Sequence, residues 1–168
     1  DVPEEFFIVL LSILIVGLLC ILCFKGIKQG LRISVGFTLI VYAIFIVSIT
    51  VVFRAYDGSR GYNLFPFWSY KEIISVGNNA LFYQNICNIL VFIPFGFLSG
   101  IYFRDLKCSG IVLIAFLFSV LIEMSQLFFK RGFSEIDDVF HNVLGCMIGY
   151  GFLCLLRYGY KMTKKVLA

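Results

Sequence analysis

Glu123 stands inside an apolar run, residues 110–129, that carries no other charge. Placing an ionised side chain at bilayer depth costs at least about 2.5–3.5 kcal/mol on insertion scales, so a carboxylate there is expected to serve a ligand, a proton or a reaction. Ser119, Glu123 and Gln126 fall at i, i+4 and i+7, one stripe of a helix. A second stripe, Asp138, Asn142, Gly145 and Gly149, occupies the next apolar run, with His141 one position off it. Asn85 and Asn88 lie three apart at the head of the preceding run. Two carboxylates in different surroundings can take opposite proton roles. Glu123 and Asp138 are therefore the candidate acid and base, with Asn88, Asn142 and Arg60 as candidates for holding a phosphate or sugar.

Each of these residues also has a structural reading. Asp137 or Asp138 can cap a helix by accepting backbone N–H bonds. Asn88, Gln126 and Asn142 can bond between helices, and Gly96-x-x-x-Gly100 and Gly145-x-x-x-Gly149 can be close-packing faces. His141 reads as a hydrogen-bonding partner rather than a metal ligand, and Pro94 as a kink that frees a carbonyl. Cys20-x-x-Cys23 has redox or metal spacing, but no second pair accompanies it, so its cysteines read as small core- or lipid-facing residues. No P-loop and no nucleophile motif is present. Neither a metal nor a cofactor is expected.

The elements that must position these residues are membrane spans. Of 168 residues, 61% are hydrophobic and 14% charged, with mean hydropathy +0.98. A soluble domain is typically about 45–50% apolar and about 25% charged, so lipid must cover part of this surface. Five runs, about residues 6–24, 35–53, 86–103, 110–129 and 139–156, are long enough to cross a hydrocarbon core of about 30 Å. Asp1, Glu4 and Glu5 precede the first run where a signal peptide carries positive charge, so it is read as a span. The whole chain, 1–168, reads as a single all-α transmembrane domain. A net charge of +4 is modest and gives no reason to invoke nucleic acid.

Lys and Arg set the direction. With the N-terminus outside, Lys25, Lys28, Arg32, Arg104, Lys107, Arg157, Lys161, Lys164 and Lys165 are cytoplasmic, whereas Arg54, Arg60, Lys71, Lys130 and Arg131 are external. The expectation is N-out, C-in, with one substantial external loop at about 54–85. That loop is aromatic (Tyr62, Phe65, Phe67, Trp68, Tyr70, Phe82, Tyr83), as suits an interface. Glu123 lies six residues before Phe129, about 9 Å of helix, and all the polar candidates then fall in the outer half.

An ordered set of motifs adds a resemblance. Arg60-Gly-Tyr-Asn63-Leu-Phe-Pro66-Phe67 is followed by Asn88-Ile-Leu-Val-Phe-Ile-Pro94-Phe95-Gly96, then Glu123-Met-Ser-Gln126. Glu135-Ile-Asp137-Asp138-Val-Phe-His-Asn142-Val-Leu-Gly145 closes the set, with Gly149 four further on. Over residues 54–151 this resembles the VanZ-like family, named for a protein that lowers susceptibility to the glycopeptide antibiotic teicoplanin. The resemblance marks Arg60, Asn63, Pro66, Asn88, Pro94, Gly96, Glu123, Gln126, Asp138, Asn142, Gly145 and Gly149 as motif positions. Two departures stand out: Glu135 where the family often has Asp, and Arg131 about one residue further from Asp138 than the usual Arg.

The resemblance implies a bacterial, multi-pass plasma-membrane protein of the cell envelope. Its outer polar cleft is expected to engage membrane lipid, a lipid-linked cell-wall precursor or a lipoglycopeptide. Arg60, Asn63, Asn88, Gln126, Arg131, His141 and Asn142 are the expected ligand-binding residues. Pro66, Pro94, Gly96, Gly145 and Gly149 are expected to shape the backbone. The alternatives are an enzyme acting on a lipid-linked substrate through Glu123 and Asp138, a proton or ion pathway, and a bundle in which the polar set is glue. The pathway ranks below the first two, because the inner helix halves supply almost no polar residues.

Overall fold

The computed structural model describes residues 30–54, 56 and 61–166. The expected first span, 6–24, with Cys20 and Cys23, and the expected site residue Arg60 lie outside the described residues.

Helix α1, Gly30–Val47, turns Val35, Leu39, Tyr42 and Ile46 inward. Their spacing of four, three and four keeps them on one face. The helix runs on into a π-helical turn, Ser48–Val52, a device frequent at functional sites. Strand β1, Tyr62–Asn63, comes next, and then a short helix α2, Trp68–Val76, bracketed by left-handed residues at Phe67 and Gly77. Helix α3, Asn79–Tyr102, begins where the Asn78 side chain accepts from the Leu81 N–H at 3.2 Å. It contains Pro94, whose missing N–H leaves the Leu90 carbonyl without its helical donor. Next to it in the chain, the Val91 carbonyl accepts from the Tyr42 hydroxyl at 2.8 Å.

Helix α4 is Cys108–Phe129, strand β2 is Ser134–Glu135 and helix α5 is Ile136–Val166. The strands form a two-residue parallel ladder, pairing Tyr62 with Ser134 and Asn63 with Glu135. The stretches Ser34–Val52, Asn79–Tyr102, Cys108–Phe129 and Ile136–Lys164 are each long and apolar enough to cross a bilayer. The chain is a polytopic all-α membrane protein. The apolar surface left outside, such as Ile40 and Ile44 on α1, Leu117 and Leu121 on α4, and Leu155 on α5, is the part lipid must cover.

Helices α3 and α5 form the tightest pair. A methyl group added at Gly96 would overlap the Cys146 carbonyl, and one at Gly145 or Gly149 would overlap the carbonyl of Ile89 or Ile93. These glycines let the two backbones touch, as their spacing predicts. Phe92, Phe95 and Phe118 pack beside this crossing, with Phe95 and Phe118 stacked at 5.0 Å. That rigid crossing fixes how the first turns of α3 and α5 face each other, and the polar residues sit on those turns.

Candidate functional site

The polar candidates gather at one end of the bundle, where α3 and α5 begin and α4 ends. Four carboxylates are buried there: Glu123 (6% exposed), Glu135 (4%), Asp137 (1%) and Asp138 (2%). Each is held differently. Glu123 accepts the Glu135 backbone N–H at 2.9 Å, which ties α4 to β2. Asp138 accepts from the Gln84 amide at 3.3 Å through one oxygen, and its other oxygen, Oδ1, has no partner. Asn88 stands beside Asp138, its amide nitrogen outside hydrogen-bonding geometry.

Asp137 has a structural task. One oxygen accepts the Phe67 N–H at 2.6 Å, and the other accepts the Ser69 N–H at 3.0 Å and the Ser69 hydroxyl at 2.7 Å. These are donors at the N-terminus of α2, so Asp137 caps a helix other than its own. The Asn85 amide donates to the same Ser69 hydroxyl at 3.1 Å. Glu135 lies just outside the spans. Burial is the main force on it, Asp138 the next, and together they push its pKa up to about 8. The Trp68 indole lies beside it.

Among the described residues, the cation that faces Glu123, Glu135 and Asp138 is Arg54. Its side chain crosses Gly132, which has φ of 77°, at a place where a Cβ would strike the guanidinium and its stem. Arg131 serves Arg54 indirectly. Its guanidinium donates to the Val52 and Arg54 carbonyls, at 2.5 Å and 3.1 Å, closing the end of the π-helical turn. Gln126 reaches the same turn, donating to the Thr50 carbonyl at 3.0 Å. Asn142 donates to Ser119 at 2.8 Å, joining α5 to α4. Asn63 accepts the Phe65 N–H at 3.0 Å and shapes the turn before the exposed Pro66. His141 faces away from the Asp138 stripe and meets the Tyr70 hydroxyl at 2.7 Å.

Among the described residues, eight buried side-chain polar atoms lack a hydrogen bond of good geometry, and seven belong to this end of the bundle: Trp68 Nε1 beside Glu135 Oε2, Asn88 Nδ2 beside Asp138 Oδ1, and Asn85 Oδ1, Gln126 Oε1 and His141 Nδ1. Such groups cost about 1–3 kcal/mol each when left unpaired, so their concentration at one end of the bundle calls for partners from outside the chain. Acceptors and donors are mixed among them. Among the described residues, no group of three or more His, Cys, Asp or Glu side chains is placed to hold a metal ion.

A family model described as VanZ/LLP1 matches residues 37–157. The chain belongs to the VanZ/LLP1 family. It is 33% identical over 100 residues to Protein VanZ of Enterococcus faecium, a match that covers 60% of this chain and 53% of that protein. The chain thus spans about half the length of the curated relative it matches. No solved structure matches it. In this VanZ/LLP1 chain the matched residues take in every part of the cluster just described, Arg54 included.

Helical spacing and the motif set bring Glu123, Gln126, Asp138, Asn142 and Asn88 together, and the structure gathers them at this end of the bundle. Sequence reasoning missed Arg54, whose position marks it only as ending a span, and it missed Gln84, Ser69 and Tyr70. The signal for Arg54 was Gly132. A glycine next to Arg131 can mark a place where another chain segment crosses, but nothing in the sequence says which.

Proposed function

We propose that this VanZ/LLP1 protein is a multi-pass protein of the bacterial plasma membrane, with its polar end facing outward. There it lowers susceptibility to the glycopeptide antibiotic teicoplanin by engaging an amphiphile or lipid-linked envelope precursor. The family supports the envelope role, as does the resemblance to Protein VanZ. The Lys and Arg distribution supports the orientation. The observation that carries the reading is the gathering of four buried carboxylates, Arg54 and buried amide and imidazole groups at the end of the spans, with Asn85 Oδ1, Gln126 Oε1 and His141 Nδ1 unpartnered. A cluster at that depth meets head groups, whereas an antibiotic confined to water stays above it. Teicoplanin has a lipid tail and vancomycin has none, so the mechanism separates the two drugs. Expression of the full chain in a susceptible Gram-positive host is expected to raise the inhibitory concentration of teicoplanin and leave that of vancomycin unchanged. No change for either drug would overturn the reading.

A second reading is supported by Glu123 and Asp138 sharing one buried cluster. They would serve as acid and base on a lipid-linked substrate. Turnover of such a substrate by purified protein, abolished in Glu123→Gln, would favour it over simple binding.

A further inference from the structure

Beside the acid cluster lies a cleft of about 240 Å³ lined by Phe67, Tyr70, Asp137, Phe140, His141 and Leu144. Three aromatic faces form its wall. Phe67 and Phe140 stack nearly parallel at 5.8 Å, and Tyr70 is tilted 54° to Phe67 at 6.2 Å. Phe67, Tyr70 and Phe140 are each more than two-fifths exposed, so their π surface is available. His141 is 2% exposed, and Tyr70 holds its Nε2 while Nδ1 has no partner. Among the described residues, the ionisable carboxylate in the lining is Asp137, and no Lys or Arg lines the cleft. Asp138 follows next in the chain.

We propose that this cleft receives the ammonium head of a membrane amphiphile. Aromatic faces attract a cation through their quadrupole, and quaternary and primary ammonium groups are the ligands such walls suit. Asp137 keeps its hydrogen bonds to α2 and contributes its negative charge. An anionic head would meet Asp137 with no cation among the described lining residues to offset it. The tail has a path as well. Phe140, Leu144, Met147, Ile148, Phe152 and Leu155 make a continuous exposed apolar strip down α5 from the cleft. The inference deepens the amphiphile reading above and rests on it, by naming the charge of the head.

The test uses the full chain in neutral maltoside micelles, with the Leu144 methyl groups as NMR reporters. The probes are decyltrimethylammonium, decyl sulfate and choline. Decyltrimethylammonium is expected to shift the Leu144 methyls saturably, and decyl sulfate at the same micellar loading is not. Choline competing as well would assign recognition to the head alone; choline silent would assign it to a membrane-anchored amphiphile. Phe140→Leu keeps an apolar side chain at a half-exposed position and removes one π face, so it should weaken the ammonium probe about fivefold. Equal shifts from both charged probes, or an unchanged affinity in Phe140→Leu, would overturn the ammonium assignment while leaving the amphiphile reading standing. No saturable shift from either charged probe would defeat both.

Discussion

Replacing Asp137 with alanine should detach the start of α2 from the bundle. The carboxylate is 1% exposed and accepts three hydrogen bonds, from the Phe67 N–H, the Ser69 N–H and the Ser69 hydroxyl. A hydrogen bond to a charged group contributes about 1.5–3 kcal/mol net, and truncation strands its partners. Two of the three bonds share one oxygen, so they do not add in full, and the loss is about 4 kcal/mol. At about 1.4 kcal/mol per factor of ten, that is on the order of a thousandfold in the local opening constant. Asp137→Asn keeps acceptor capacity but loses the charge and should cost about half as much. Hydrogen exchange read on residues 67–76 is the assay. Exchange there should accelerate in the order wild type, Asn, Ala, while α3 around Gly96 and α5 around Gly145 keep their protection. Unchanged exchange of residues 67–76 in Asp137→Ala would refute the claim that this carboxylate anchors α2.

The same geometry sets three further outcomes. Burial raises the pKa of Glu135 from 4.5 to about 8, so the folded chain keeps a proton that the unfolded chain releases. Stability should therefore be greatest below about pH 4.5 as far as this group is concerned, and fall towards pH 8 by about 1.4 kcal/mol per pH unit; thermal unfolding in detergent should show this slope flattened in Glu135→Gln. Gly149→Ala drives a methyl onto the Ile93 carbonyl and should destabilise by about 1–3 kcal/mol, whereas Gly151→Ala, which meets nothing within 4 Å, should not. Arg54→Leu takes the cation away from Glu123, Glu135 and Asp138 and should cost about 1–3 kcal/mol, less in a Glu123→Gln background, as a double-mutant cycle on unfolding will measure.

The spans are legible because hydropathy writes them. The expected 35–53 and 110–129 correspond to Ser34–Val52 and Cys108–Phe129. The third helix begins at Asn79, well before the expected 86, because its first turns are polar and hold Gln84 and Asn85 for the site; the Asn78 cap is the signal. The last helix runs on to Val166 through Arg157 and Lys161, residues that a hydrocarbon criterion excludes but a helix in head groups or water accepts. Helix α2 and strand β1 stand where the sequence predicts only loop. Neither has a periodic apolar pattern of its own, and both form because Asp137 and Ser134 offer partners some seventy residues away. Asp137 itself shows the limit of local reasoning: its position suggests a cap, and only the fold says which helix it caps. The stripes on α4 and α5 are legible because helical spacing alone puts Glu123 with Gln126 and Asp138 with Asn142. Arg54 is not, because its reach depends on Gly132 and on the grip of Arg131 on the preceding turn.

The buried polar end is proposed to carry the function. Glu123→Gln and Asp138→Asn, expressed at membrane levels matched to wild type, put it to the test through the inhibitory concentration of teicoplanin. Both variants are expected to remain abundant and to lose the protection that wild type gives. Protection kept in full by both variants at equal abundance would contradict it.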